Sequence, residues 1–112
     1  MMACRGGPTA AGDLQRILEV DRLIHEPARL LIVALLASVR EADFLFLQRE
    51  TGLTKGNLSV HLSRLEEAGY VHIEKTYRGK VPLTLCRMTE PGRQAFDSYR
   101  KQLKQFVENT KE

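Results

Sequence analysis

The 112-residue sequence predicts a mainly helical α+β fold that forms a single domain. Three observations predict it. Apolar residues recur at helical spacing in five segments, two segments of alternating apolar and polar residues precede the last of these, and Gly or Pro separates most neighbouring segments. The first twelve residues, MMACRGGPTAAG, lack periodicity and are predicted to form a disordered tail, so the folded domain is expected over residues 13–110.

The first predicted helix spans residues 13 to about 24, with Asp13 as its N-cap. Its apolar stripe consists of Leu14, Ile17, Leu18, Val20, Leu23 and Ile24. His25-Glu26-Pro27 interrupts that stripe, and proline is favoured in the first turn of a helix, so a second helix is expected over about residues 27–39. Because the segment ARLLIVALLASV is apolar nearly all round, this second helix is predicted to be the central buried one.

Two shorter helices are expected next, separated by a three-residue turn. Asp43 is the candidate N-cap of FLFLQRET, and Gly52 is its expected C-terminal stop. Thr54 is the candidate N-cap of KGNLSVHLSRLEEA, which ends at Gly69, and its inward face is formed by Leu58, Leu62 and Leu65. Two helices joined by a short turn that contains Gly form the helix-turn-helix unit, which presents its second helix to the DNA major groove.

A hairpin and a long helix complete the predicted chain. Alternating residues over 70–76 and 81–88 predict two strands joined by a turn at residues 77–80, and Pro82 indicates an edge strand or a bulge. Thr89 is the expected N-cap of the last helix, with Pro91 in its first turn. The predicted architecture is therefore a winged helix-turn-helix with a two-stranded β-hairpin wing and flanking N- and C-terminal helices.

The positions of the cations are more informative than the net charge of +3, which permits a nucleic-acid partner without requiring one. With its leucines turned inward, the fourth helix exposes small, polar or basic residues that suit close approach to phosphates and base edges. These candidate DNA-binding residues are Thr54, Lys55, Gly56, Asn57, Ser59, Val60, Ser63 and Arg64. A basic hairpin tip suits a wing that lies over a minor groove, and the candidate wing residues are Lys75, Arg78, Gly79 and Lys80.

The segment LTKGNLSVHLSRLEEAGYV, residues 53–71, resembles the recognition-helix region of the MarR/ArsR-like winged-helix transcriptional regulators, and most resembles the small stand-alone winged helix DNA-binding domains. HEPARLLIVALL and RGKVPLTLCRMTEPGRQAF are similar to the second-helix motif and to the wing and wing-to-helix junction of that group. The likeness covers residues 14–106. Val60 departs from a position that is often polar in ArsR-type helices, and Val81 and Leu83 make the wing less basic than is typical.

The resemblance implies a homodimer in which the first and last helices form the interface and two recognition helices read a roughly palindromic operator. The apolar stripe of the last helix agrees, because it would otherwise expose an apolar patch. The alternative is that this helix only folds back on its own core. The expected interface residues are Leu14, Ile17, Leu18, Phe96, Tyr99, Leu103 and Phe106.

Catalytic residues, a metal site and a cofactor are not expected. Cys4, Cys86 and the three histidines are dispersed, and the sequence has no Gly-rich phosphate loop and no nucleophile beside a base. His61 is expected to be a packing histidine rather than a phosphate contact or a pH sensor. The longest apolar run, residues 30–37, is too short to span a bilayer, and no signal peptide is present, so a cytoplasmic protein without a membrane partner is expected.

The expected function is therefore sequence-specific binding of double-stranded DNA by a homodimeric transcriptional regulator, a repressor more than an activator. The alternative is a winged helix that mediates protein–protein contact without a DNA role, because fold does not settle function. Such a module would show a more apolar recognition-helix face, on which Val60 is the one apolar residue here. A regulator that responds to a small-molecule effector is a third alternative, and it needs a pocket near the dimer interface.

Overall fold

The structure, a computed structural model, describes residues 20–110. Its helices are α1 (Pro27–Ala37), α2 (Phe44–Thr51), α3 (Lys55–Glu67) and α4 (Glu90–Asn109). Its strands are β1 (Ala42–Asp43), β2 (Val71–Arg78) and β3 (Val81–Met88). The predicted mainly helical α+β fold is confirmed. The expected tail, most of the first predicted helix, and three predicted interface residues lie outside the described residues; those three are Leu14, Ile17 and Leu18.

Side-chain caps begin α2 and α3 where the sequence predicts them. The carboxylate of Asp43 accepts the N–H of Phe46 at 2.7 Å, and the hydroxyl of Thr54 accepts the N–H of Asn57 at 3.2 Å. Each bond satisfies a backbone donor that the first turn of a helix leaves unpaired. The expected stops are confirmed as well, because Gly52 and Gly69 follow α2 and α3 with φ of 73° and 82°, a conformation that favours glycine.

The prediction that the first helix reaches residue 24 is wrong, because residues 20–26 form turns and bends. One carboxylate oxygen of Asp21 accepts the N–H groups of Leu23 and Ile24 at 2.9 and 3.3 Å. Such local side-chain bonds offer the backbone an alternative to the helix. Val20 and Ile24, two members of the predicted apolar stripe, are nevertheless buried, with 5% and 0% of their surface exposed.

The expected two-stranded hairpin is part of a three-stranded antiparallel sheet in the order β1-β3-β2. Strand β1 has only two residues, which are too few to show alternation, and they pair with Cys86 and Leu85 of β3. Strand β2 extends to Arg78, so the turn consists of Gly79 and Lys80 rather than of four residues. The prediction that Pro82 indicates an edge strand or a bulge is wrong, because β3 lies between β1 and β2 and its pairing with β2 is regular. A proline fits there because β1 pairs only with Leu85 and Cys86 and does not reach Pro82.

The main core lies between α1, α2, α3 and the sheet. Its buried members are Ile32, Val33, Leu36, Ala42, Leu47, Leu58, Leu62, Leu65, Val71, Cys86 and Met88. Helix α1 is buried on one face rather than all round, since Leu31 on its other side is 41% exposed. Leu45 of α2 is 73% exposed. None of the helices within residues 20–110 is long and apolar enough to cross a membrane.

Candidate nucleic-acid interface

Helix α3 turns one side toward the core and leaves the other side open. The buried leucines, Leu58, Leu62 and Leu65, are spaced four and three residues apart, so they line one side of the helix. The other side carries the candidate DNA-binding residues, all of which are exposed: Thr54, Lys55, Gly56, Asn57, Ser59, Val60, Ser63 and Arg64. Periodicity therefore placed these residues correctly on the surface.

The N-terminus of α3 has the properties of an anion-binding end. Thr54 caps one backbone N–H, and the remaining N–H groups of the first turn have no partner within the helix. A Cβ added at Gly56 would meet nothing within 4 Å. The fold does not require glycine there, so the missing side chain leaves room for close approach of another molecule to the backbone.

The wing supplies a second set of exposed residues, Lys75, Arg78, Gly79 and Lys80. Gly79 has a φ of 64° in the two-residue turn, which an L side chain would strain. Because side chains alternate along a strand, Lys75 shares a face of the sheet with Ile73, which packs against the core. Lys75 therefore faces the helices, whereas Arg78 and Lys80 stand at the wing tip.

A groove of about 770 Å³ runs between α2, α3 and the wing. Lys55 on the helix side and Lys75 on the wing side both line it, together with the hydroxyls of Ser59 and Ser63. Its apolar lining includes Phe44, Leu62, Ile73, Pro82 and Leu83. The structure thus brings together four predicted site residues from two elements. Arg78, Gly79 and Lys80 are not among the residues that line this groove.

The charges of the candidate cations are available to an external anion. Among residues 20–110, no carboxylate lies within ion-pairing distance of the candidate cations, which are Lys55, Arg64, Lys75, Arg78 and Lys80. Glu74 on β2 instead pairs with Arg87 at 3.7 Å. Glu66 is the one carboxylate among the residues that line the groove, and its charge is unfavourable for an anion there.

Sequence reasoning missed a polar contact on the flank of α3. His61 is half-buried, as expected for a packing histidine, but its Nδ1 lies 3.2 Å from Nη1 of Arg29. Nε of Arg29 also donates to the carbonyl of Leu23 at 2.6 Å. Arg29 and His61 are 32 positions apart in the sequence, so no local pattern revealed the pair. The only signal was the position of Arg29 two residues after Pro27.

Two tyrosines hold the turn over residues 20–26 in place. Tyr70 donates to the carboxylate of Asp21, and this hydrogen bond, with burial, raises the pKa of Tyr70 to about 12. The hydroxyl of Tyr99 lies 2.7 Å from Nδ1 of His25. The turn is therefore tied both to the end of the helix-turn-helix and to α4.

The predicted interface residues on α4 are not equally free. Tyr99 is 2% exposed and packs with Val20 and Ile24 of the same chain, with Phe96 and Leu103 partly buried against them. Phe106 is half-buried. Folding back on the same chain, the alternative to a dimer, thus accounts for the first half of the stripe. Within residues 20–110, no three His, Cys, Asp or Glu side chains are arranged to hold a metal ion.

Known proteins share this architecture. Residues 28–107 match the family described as "Winged helix DNA-binding domain". An uncharacterised protein of Methanocaldococcus jannaschii is 35% identical over 89 residues, which cover 79% of this chain and 96% of that protein. The structure of the transcriptional regulator homologue protein from Pyrococcus horikoshii OT3 is similar with a TM-score of 0.80 and 29% identity, over 87% of this chain and 95% of that chain.

A crystal structure of NadR in complex with 4-hydroxyphenylacetate is also similar, with a TM-score of 0.64. The match covers 96% of this chain and 78% of that chain at 18% identity, and at that identity it shows the fold alone. The family match and these structures confirm the expected likeness to winged-helix regulators.

Proposed function

Because the chain belongs to the winged helix DNA-binding domain family, we propose that it is a sequence-specific transcriptional regulator that binds double-stranded DNA as a homodimer and represses its promoter. The observation that carries the proposal is the groove between α3 and the wing. Lys55 and Lys75 line it without a carboxylate partner among the described residues, beside an exposed polar helix face. A protein-interaction module would present a more apolar face at this position.

In the proposed complex, α3 lies in the major groove, whose width of about 12 Å admits a helix. The free N–H groups at its N-terminus and Lys55 bind phosphate, which fixes the register without reading sequence. Asn57 and Arg64 are the exposed side chains that can make two hydrogen bonds to one base, adenine for Asn and guanine for Arg. Arg78 and Lys80 at the wing tip reach the adjacent minor groove or its phosphates.

The homodimer is supported by the second half of α4. Two apolar residues that follow Tyr99 in the helix, Leu103 and Phe106, are only partly buried, and Val107 is 53% exposed. A two-fold pairing that covers them would place two recognition helices on half-sites about 34 Å apart. Sedimentation equilibrium should therefore give the mass of a dimer, and the double variant Phe106→Ser, Val107→Ser, which spares Leu103 and its packing within the chain, should be monomeric with an unchanged circular dichroism spectrum. A monomeric wild-type protein would contradict the dimer.

DNA binding is tested by fluorescence anisotropy with a mixed-sequence duplex at several salt concentrations, followed by selection from a random DNA pool. A dimer that neutralises about six to ten phosphates should show a log–log salt slope of about −5 to −9. The selected sequence should be two-fold symmetric, and transcription from a promoter that overlaps it should fall when the protein is added. Absence of binding at low salt would favour the protein-interaction alternative.

A small-molecule effector is a further proposed partner. NadR has been solved with the aromatic carboxylate 4-hydroxyphenylacetate. The groove beside α3 is lined by no residue of α4, so it is not the pocket near the dimer interface that was expected, but it combines an apolar lining with Lys55 and Lys75, which is the chemistry that such a compound needs. An aromatic carboxylate that binds there should raise the melting temperature and displace DNA in the same titration. Compounds that leave both quantities unchanged would contradict this part of the proposal.

A further inference from the structure

We propose that Arg29 is a positioning residue that sets the orientation of the recognition helix α3 through its contact with His61. The inference rests on the proposed function, because the orientation of α3 matters only if the helix reads DNA. Arg29 lies in the first turn of α1, and its guanidinium bridges two partners. Nε donates to the carbonyl of Leu23 at 2.6 Å, and Nη1 lies 3.2 Å from Nδ1 of His61.

Only one assignment of donor and acceptor is possible for the contact between Arg29 and His61. Arginine carries donors and no acceptor, so Nδ1 of His61 must accept the hydrogen bond. The His61 ring in this contact is therefore neutral and carries its proton on Nε2. The planar guanidinium directs its two donors along fixed directions, which a lysine ammonium cannot reproduce. Both acceptors are uncharged, and among the described residues no carboxylate forms an ion pair with Arg29.

The position of His61 on α3 explains why its contact with Arg29 affects the side chains that read DNA. It lies four residues after Asn57 and three residues before Arg64, so these three side chains occupy one flank of the helix. With Lys55 engaged on phosphate in the proposed complex, Asn57 and Arg64 are the exposed residues of α3 that can read a base with two hydrogen bonds. Fixing the His61 flank therefore fixes the rotation of the two side chains that carry sequence readout in the proposed complex.

The leucine core alone does not fix that rotation as closely. Leu58, Leu62 and Leu65 hold α3 against the core through apolar contacts, which are non-directional. A hydrogen bond weakens steeply outside a narrow range of distance and angle. The carbonyl of Leu23, which accepts the other hydrogen bond of Arg29, is itself held in place. Leu23 belongs to the turn over residues 20–26, in which Asp21 bonds to Tyr70 and His25 bonds to Tyr99. Arg29 thus connects the orientation of α3 to α4.

The test compares affinity for the selected operator with affinity for a mixed-sequence duplex. Arg29→Lys keeps the charge but cannot bridge both acceptors, and His61→Leu removes the acceptor. Each variant should lose about tenfold in operator affinity, roughly 1.4 kcal/mol, with little change on mixed sequence. The double variant should be no worse than either single variant, because both remove the same contact. His61→Gln keeps an acceptor and should restore most of the specificity.

The ratio of operator affinity to mixed-sequence affinity distinguishes a positioning role of Arg29 from a purely structural one. Loss of folded protein would weaken binding to both duplexes equally and leave the ratio unchanged, whereas misorientation of α3 lowers the ratio. The ¹⁵N shifts of the His61 ring give an independent readout without DNA. Nδ1 should appear as an unprotonated acceptor in the wild-type protein, and Arg29→Met should produce a mixture of the two tautomers.

The contrary outcomes are separable. An unchanged ratio in Arg29→Lys, with wild-type operator binding intact, would overturn the positioning role and leave the proposed function standing. An equal loss on both duplexes in Arg29→Met, with a salt slope shallower by about two for the dimer, would make Arg29 a direct phosphate contact and overturn the inference as well. If the wild-type protein bound no duplex, the proposed function and the positioning role would fail together, and the ring nitrogen shifts would still report on the contact.

Discussion

Gly92 marks a point at which α4 and the start of β2 approach too closely for a side chain. A Cβ at position 92 would overlap the carbonyl oxygen of Tyr70 and lie 2.9 Å from its carbonyl carbon. The obstructing atoms are backbone, and the same carbonyl accepts the N–H of Thr89 at 3.0 Å. The hydroxyl of Thr89 donates to the carbonyl of Gly69 at 2.6 Å. The junction cannot shift without breaking these bonds.

The expected effect of Gly92→Ala follows from two opposing terms. Alanine favours the helix over glycine by up to about 1 kcal/mol. Against this, overpacking costs about 1–3 kcal/mol, and loss of the bond between Thr89 and Tyr70 costs about 1 kcal/mol more. We expect a net loss of about 2 kcal/mol in the free energy of unfolding. For a domain of this size, that corresponds to a fall of about 8–16 °C in the melting temperature.

Thermal and urea unfolding, both followed by circular dichroism, measure this loss. Gly56→Ala is the matched control, because it makes the same chemical change in α3 where the added Cβ meets nothing. It should leave stability unchanged or raise it by up to about 1 kcal/mol. Equal melting temperatures for the two variants would refute the reasoning. If Gly56 also admits DNA closely, Gly56→Ala should weaken DNA binding in a protein that is no less stable.

Three further predictions concern charge, base contact and ionisation. Lys55→Ala and Arg78→Ala should each weaken binding to any duplex and make the salt slope of the dimer shallower by about two, one phosphate contact per protomer. Lys101→Ala, which removes a cation paired with Asp97 at 3.0 Å, should change neither the affinity nor the salt slope. Val60 is 52% exposed and is expected to contact the methyl group of a thymine in each half-site. Replacing that thymine with uracil, which lacks the methyl group, should weaken wild-type binding by about 0.8 kcal/mol per half-site. Val60→Ser should bind the thymine and uracil duplexes equally. Burial, with smaller contributions from nearby carboxylates, raises the pKa of the Cys86 thiol to about 11. The unfolded chain therefore loses this proton first, and stability should begin to fall as pH rises above about 9. In urea titrations of Cys86→Ala the fall should begin only near pH 10, where the raised pKa of Tyr70 starts to contribute.

The parts of the fold that were predictable from sequence depend on interactions between near neighbours. The caps at Asp43, Thr54 and Thr89 each bond a backbone N–H three residues away, so the residue type and its place before an apolar run identify them. The spacing of the α3 leucines fixed which of its residues are exposed. Strand β1 could not be predicted, because its two residues take their conformation from pairing with β3, more than forty positions away.

The candidate site was predictable residue by residue but not as an arrangement. Lys55 and Lys75 were identified on separate elements, and only the packing of the sheet against α3 brings them to one groove. Arg29 and His61 were missed as a pair for the same reason. A histidine on the shoulder of a helix has the same local pattern whether it packs against apolar atoms or accepts a hydrogen bond from a distant arginine.

Helix α4 shows why periodicity alone cannot assign an interface. Its apolar stripe continues evenly from Phe96 to Phe106. Tyr99, however, is buried within its own chain and hydrogen-bonded to His25, so its burial does not require a second protomer. Burial also raises the pKa of the Tyr99 phenol, as expected for a group withdrawn from water. A substitution at Tyr99 should therefore weaken the turn that Arg29 uses as its reference, whatever the oligomeric state. Leu103 also packs against this turn, so only substitutions beyond it, at Phe106 and Val107, can separate dimer formation from the orientation of the recognition helix.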